Sequence, residues 1–325
     1  MRYAIGVDLG ATKVRVALAD IECRFLWKTK EETSKQSEGA IADQIVRMSR
    51  SLCQLAGIGM GKVQGLCIAS AGPLDLRRGG IAGGANFPFK FIPLEKPVHD
   101  VLKVPVRLLN DCTASVLGEH VFGAGKNIEN VVYITLSTGI GGGAIVDGHL
   151  LIGKDGNAVE IGHLTIDLAG RLKCGCGKRG HWEAYCSGRN IPNYVRLRLS
   201  EIGEEKAGGS LIYKLSEPEL SKLSSEVIFA AARRGDGLAL KLLDELGRLN
   251  AIGFASVANA FDPELITVGG TVALKNVRLV MAPIRKYIED YIVCRPPKIM
   301  ITPLGEDIGL YGAIAAVKLD RERRR

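Results

Sequence analysis

Twice along this chain a run of strand-forming residues breaks on a glycine turn and resumes as a strand. The first instance runs from Tyr3–Val7 through Leu9–Lys13 to Val14–Ala19, and the second from Val131–Leu136 through Ser137–Gly143 to Ala144–Val146. Period-two and continuously apolar runs broken by glycine are the signature of sheet hairpins, so each half opens with a meander and the halves form a weak internal repeat. At 325 residues the chain exceeds one ordinary core and suits two domains.

Between the hairpins, helical and strand patterns alternate. Phe25–Trp27 begins a third strand. Ile41, Ile45, Met48, Leu52 and Leu55 recur at helical spacing, and the strands Val63–Ala69 and Val106–Leu109 follow, the latter leading into a helix after Asn110. The second half is expected to hold helices at Tyr185–Leu199, Ser224–Arg234 and Leu238–Phe261, a strand at Leu265–Val268 and a closing helix at Ile308–Lys318. Residues 201–223, rich in Glu, Lys, Gly and Ser, read as a solvated connection. The class is therefore α/β.

Phosphate groups need inward-pointing backbone N–H donors with nothing crowding them, and glycine supplies such nests. Two segments meet that need. In Asp8-Leu9-Gly10-Ala11-Thr12-Lys13 a carboxylate ahead of the turn can hold magnesium while Thr12 and the amides meet phosphate oxygens. The second is Ser137-Thr138-Gly139-Ile140-Gly141-Gly142-Gly143. Either alone reads first as a tight hairpin turn; the pair points to phosphate binding. Gly139–Ala144 fits G-x-G-x-x-A but leads into a strand rather than a helix, which disfavours a dinucleotide fold, and no G-x-x-x-x-G-K-[ST] occurs.

Transfer of a phosphoryl group to a hydroxyl calls for a proton acceptor, and Asp111 stands where a strand gives way to a helix, the edge at which α/β sites gather. An Asn or Asp in that position also caps a helix, so Asn110 and Asp111 carry both readings. Glu160 and Glu183 can accept hydrogen bonds from neighbouring hydroxyl groups, the alternative being solvent-facing glutamates.

Of eight cysteines, Cys23, Cys53, Cys67, Cys112 and Cys294 are scattered singly, whereas Cys174, Cys176 and Cys186 crowd one segment. Cys174-Gly175-Cys176 with His181 after it and His163 upstream offers four ligands for a closed tetrahedral zinc site, with Cys186 as a substitute for His181.

Taken together, these residues resemble the ROK family of sugar kinases and repressors, within the actin, hexokinase and Hsp70 superfamily. Asp8–Lys13 is similar to its first phosphate loop, Asn110-Asp111 to its catalytic pair, Thr138–Gly143 to its second phosphate loop, Glu160-Ile161-Gly162-His163 to its sugar signature and Cys174–Glu183 to its zinc knuckle. The resemblance implies a two-domain ribonuclease H-like fold with an interdomain cleft: a small domain of residues 1–111 with about 308–325, and a larger one of 112–307 carrying the knuckle. It implies an ATP-dependent hexose kinase, most simply a glucokinase or broad hexokinase, with Asp111 as catalytic base. Asn86, Asn110, Asp111, Glu160, His163 and Glu183 would hold the sugar. Asp8, Gly10, Ala11, Thr12, Lys13, Thr138, Gly139, Gly141, Gly142, Gly269, Gly270 and Gly312 would serve the nucleotide, and Asp8 the magnesium. One structural zinc per chain would sit on His163, Cys174, Cys176 and His181. Most members carry a third cysteine where this chain has His181. His163 would bind the metal through one ring nitrogen and a sugar hydroxyl through the other.

N-acetylhexosamine kinases and fructokinases use the same motifs, and a phosphate-chain donor is an alternative to ATP. A repressor would need a DNA-binding segment of several dozen residues ahead of Asp8, so nucleic acid is not expected despite the net charge of +8, which also suits anionic nucleotides. The start lacks a cationic segment leading into an apolar stretch, and the longest uncharged region, Asn130–Val146, is short and glycine-rich. Neither secretion nor a membrane span is expected, so the expected setting is cytoplasmic, and the resemblance implies a homo-oligomer, a dimer or a tetramer.

Overall fold

The computed structural model describes residues 2–83, 89–203, 208–216 and 220–323. By internal contacts the chain divides into two compact units, one of Met1–Tyr133, Gly143–Val159 and Thr302–Arg325, the other of Ile134–Gly142 and Glu160–Ile301.

The first unit opens with the expected meander. Strands β1 (Tyr3–Leu9), β2 (Lys13–Asp20) and β3 (Phe25–Glu32) are followed by the helix Ala40–Leu55 and β4 (Val63–Ser70). Three two-residue strands, β5 (Leu74–Asp75), β6 (Gly80–Ile81) and β7 (Ile92–Pro93), make a small antiparallel sheet before β8 (Val106–Asn110). The main sheet runs in the order β3-β2-β1-β4-β8, with β1, β4 and β8 parallel. The register pairs Leu9 with Ser70 and Ser70 with Asn110, so the three strands end level and the loops after them emerge along one edge. Ile41, Ile45, Met48 and Leu52 bury one face of their helix against Val14, Val16, Leu66 and Ile68 in a single apolar cluster.

The returning helix Ile308–Arg323 packs on the helix Asp111–Phe122 through glycines. A side chain on Gly312 would strike the Ala114 carbonyl, and one on Gly118 would come 2.8 Å from Gly312 N, so the two backbones approach closely. That crossing accounts for Gly312 by itself.

The second sheet has the order β11-β10-β9-β12-β13, from β9 (Val131–Leu136), β10 (Ile140–Val146), β11 (His149–Leu150), β12 (Leu265–Gly269) and β13 (Lys298–Ile301). β10 begins inside the glycine run, earlier than the expected start at Ala144. The helix expected at Tyr185–Leu199 is two, Glu183–Cys186 and Ile191–Ile202. Cys186 is followed by an extended Ser187 and a turn, and Pro192 then sits in the first helical turn where its missing N–H costs nothing. Residues 208–216 contain a short helix, Leu211–Leu215, capped by Ser210, where a connection was expected. The long helix Gly237–Phe261 buries Leu242, Leu246, Phe254 and Val257. No helix among the described residues is long and apolar enough to cross a membrane.

Candidate active site

In the first unit the level strand ends assemble one group of candidate residues. Asp8 lies next to the end of β1, and directly across the hairpin its partner is Arg15. Arg15 donates through Nε to Asp8 Oδ2 at 2.9 Å and through Nη2 to the same oxygen, while Nη1 reaches Asp307 Oδ1 at 3.3 Å and Lys28 Nζ holds the other Asp307 oxygen at 2.5 Å. The turn after Asp8 is closed by Gly10 N donating to the Lys13 carbonyl at 2.9 Å and strapped by Thr33, whose hydroxyl donates to the Gly10 carbonyl at 2.8 Å. Thr12 and Lys13 are exposed and Ala11 half-buried, which leaves the turn open to a ligand.

At the end of β8 the capping duty falls on Asn110. Its Oδ1 accepts from Cys112 N at 2.9 Å and Thr113 N at 3.2 Å, while Asp111 takes the first helical position and accepts from Cys112 N at 2.8 Å. Burial first, and the Asp8 carboxylate second, push the Asp111 carboxyl above its ordinary value, outweighing its hydrogen bonds to backbone. Asn157, not singled out in the sequence, locks the neighbouring loop. Its Oδ1 accepts from Leu74 N at 2.8 Å and its Nδ2 donates to the Leu74 carbonyl at 2.9 Å, and a Cβ on Gly72 would lie 3.4 Å from Asn157 and 3.7 Å from Asn110 Nδ2. Asn86 lies outside the described residues.

The second unit gathers the rest. Loop Ser137–Ile140 is tied on several sides. Gly188 N and Arg189 N donate to the carbonyls of Ser137 and Thr138 at 2.7 and 3.2 Å, Ser137 Oγ lies 3.1 Å from Thr271 Oγ1, and Glu183 Oε2 accepts from Ile140 N at 2.9 Å. Thr138 is exposed, Gly139 and Gly141 half-buried and Gly142 buried. Gly270, at φ +86°, packs against the end of β9; a side chain there would strike the Leu136 carbonyl and sit 2.6 Å from Thr135 Oγ1, which puts Gly269 and Gly270 beside the glycine loop.

His163, Cys174, Cys176 and His181 converge with all four donor atoms within 4.8 Å of one another. The antiparallel bridge between Thr165 and His181 brings the histidines together, and a tight turn with Gly177 at φ +90° folds the cysteines back, Cys174 N donating to the Lys178 carbonyl at 2.8 Å. Their separations are 3.3 Å for His163 Nδ1 to His181 Nδ1, 3.8 Å for Cys174 Sγ to His163 Nδ1 and 3.3 Å for Cys176 Sγ to His181 Nδ1. Tetrahedral zinc with bonds of about 2.0–2.1 Å to nitrogen and about 2.3 Å to sulfur has edges of roughly 3.3 Å between nitrogens and roughly 3.5 Å between nitrogen and sulfur. The donor set fits that ion. Burial, and after it His163, lowers the His181 pKa and favours the neutral ring a metal needs, whereas burial raises the Cys174 thiol, so loading must release a proton. Cys186 is not part of the group: it is buried, with Sγ 3.7 Å from the Leu246 carbonyl.

His163 presents Nδ1 to this group, which leaves Nε2 3.8 Å from Glu160 Oε2 on an exposed carboxylate. The knuckle is anchored by Trp182, fully buried, whose Nε1 donates to Asn250 at 2.8 Å and whose ring occupies the space a side chain on Gly253 would need. Sequence reasoning missed Arg15, Asn157 and Trp182. Arg15 alone had a local signal, since a hairpin turning at Gly10–Lys13 sets it opposite Asp8.

Comparison with known proteins gives a consistent result. The profile of the ROK family matches residues 4–319. The glucokinase of Pyrobaculum calidifontis is 36% identical over 315 residues, spanning 97% of this chain and 95% of that protein. Among solved structures, a ROK family glucokinase from Streptomyces griseus in complex with glucose and AMPPNP is 33% identical with a TM-score of 0.76, over 97% of this chain and 98% of that one. The ROK hexokinase from Thermus thermophilus is 30% identical with a TM-score of 0.79, over 99% of each. The chain shares the mixed α/β, actin- and hexokinase-like fold of these structures.

Proposed function

The chain belongs to the ROK family, and on that premise we propose that it is an ATP-dependent glucokinase, moving the terminal phosphoryl group of ATP to a hydroxyl of glucose to give glucose 6-phosphate. The observation that carries the mechanism is the division of labour at the end of β8: Asn110 caps the helix, so Asp111 is not needed for that task. A carboxylate whose proton affinity is raised by burial and by Asp8 is a stronger acceptor than an exposed one, nearer the range in which general bases work. Asp111 takes the proton of the attacking hydroxyl as its oxygen bonds to phosphorus and the bond to the leaving diphosphate breaks.

Asp8, held by Arg15, would hold the magnesium that accompanies the nucleotide, and the amides of Gly10–Lys13 and of Thr138–Gly142 would receive phosphate oxygens. Magnesium supplies charge neutralisation on the phosphates. Gly269 and Gly270, packed beside the second glycine loop, would lie along the nucleoside. Glu160, Glu183, His163 through Nε2, and Asn110 through Nδ2 read the sugar hydroxyls, each a group that punishes a missing or inverted hydroxyl. His163, Cys174, Cys176 and His181 would hold one closed, structural zinc, which would fix the tautomer of His163.

A coupled assay across glucose, mannose, fructose and N-acetylhexosamines, with ATP and polyphosphate as donors, tests the reading. Turnover with glucose and ATP above all other pairs is the expected result; preference for another sugar or donor would move the assignment within the family, and no turnover with any pair would end it.

A further inference from the structure

Glu183 touches two things at once. Its Oε2 accepts the Ile140 amide at 2.9 Å, at the point where the glycine loop becomes β10, and its Oε1 lies 3.6 Å from Cys174 Sγ in the metal-binding group. By chain it stands two residues after His181, next to the buried anchor Trp182. The loop is shaped around this carboxylate: a Cβ on Gly139 would lie 2.6 Å from Glu183 Oε2. At the next peptide, a Cβ on Gly162 would strike the Ile140 carbonyl, so no side chain fits there, and Gly162 directly precedes His163. Ile140 is thus met at its amide and at its carbonyl by segments that carry the candidate metal ligands.

We propose that Glu183 is a positioning residue for the phosphate-binding glycine loop, holding the Ile140 amide so that the conformation of residues 137–141 is set from the metal knuckle. This rests on the kinase reading, because it takes the loop to bind phosphate, and it adds a nucleotide-side role to a carboxylate otherwise assigned to the sugar. A half-buried carboxylate accepting a backbone N–H forms a charge-assisted bond, stronger than a neutral pair, so losing it costs more than losing an ordinary hydrogen bond. The consequence reaches the loop without any contact between Glu183 and the nucleotide.

The test combines three variants with two readouts taken without sugar: binding of magnesium AMPPNP by calorimetry, and hydrogen exchange at the Ile140 amide. Glu183→Ala is expected to weaken nucleotide binding by about tenfold, the size of one lost bond to a charged group, and to speed exchange at Ile140 by a similar factor. Glu183→Gln keeps an acceptor oxygen and is expected to restore most of both. Gly139→Ala leaves Glu183 chemically intact but places a methyl against its carboxylate, at a residue whose φ is not left-handed, and is expected to reproduce the Glu183→Ala effect. Because both act through one contact, the double variant should be little worse than either single one. Wild-type protein that binds no nucleotide overturns the kinase reading and this inference with it. Wild-type protein that binds, alongside Glu183→Ala and Gly139→Ala proteins that bind as tightly with Ile140 still protected, overturns this inference alone, as does strict additivity in the double variant.

Discussion

Arg15 and Asp8 face each other across the first hairpin, and the guanidinium spends two donors, Nε and Nη2, on the single oxygen Oδ2. That leaves Asp8 Oδ1 without an Arg15 bond. The third arm, to Asp307 next to the returning helix, fixes the guanidinium from behind. Arg15→Ala should therefore raise the magnesium concentration needed for half-maximal rate by about tenfold, a loss of about 1.4 kcal/mol at a half-buried pair. Arg15→Lys should recover part of it, since a point charge cannot use both sites. A magnesium titration of the rate at saturating sugar checks this.

Asp111→Asn should lower kcat by roughly 10²–10⁴, about 3–5 kcal/mol of barrier, with nucleotide binding unchanged. The same variant should be more heat-stable at neutral pH. In the fold this carboxyl holds its proton more tightly than at its ordinary value of 3.8, so its contribution to stability is present below that value and is lost as pH rises through the folded pKa. Neutral Asn removes the loss, and Asn110 keeps the helix start. Turnover and thermal melting of one preparation measure both effects.

The rate itself carries the opposite sign. A base must be unprotonated, so the acid limb of kcat/KM should lie above the ordinary carboxylate value of 3.8. Asp8→Asn removes the second of the two causes and should move that limb downward, though burial, the larger cause, keeps it above 3.8. A pH profile of residual activity in Asp8→Asn protein that runs level with the parent would show that the two carboxylates are not coupled.

Purified protein should contain about one zinc per chain, as a closed four-donor site requires. His181→Cys should retain the metal, and His181→Ala and Cys176→Ser should lose most of it. Cys186→Ala should leave metal content unchanged, because its thiol is directed at the Leu246 carbonyl. Elemental analysis of the four variants checks the ligand set.

Chemistry with a local signature was legible in the sequence. Glycine turns between apolar strands announced the two hairpins, because a chain reversal between strands needs residues free of a Cβ, and such needs act on neighbours in sequence. The C-x-C spacing announced the knuckle for a similar reason: two thiols so close in sequence are brought side by side by one tight turn. The later start expected for β10 and the single helix expected at Tyr185–Leu199 failed where glycine propensity and helical periodicity were overridden by pairing and by the turn at Ser187.

The sequence by itself determined which residue types stand at each turn, strand end and knuckle, since these depend on backbone geometry and donor chemistry within a few residues. Only the tertiary structure decided how they are used. That Asn110 rather than Asp111 takes the cap, that Asn157 locks a loop 83 residues away, that Glu183 grips the Ile140 amide and that Cys186 is turned away from the metal group all depend on which groups are brought within about 3 Å by packing. Hydrogen bonds fall off within fractions of an ångström, and no pattern along the chain carries distances that fine between segments so far apart in sequence.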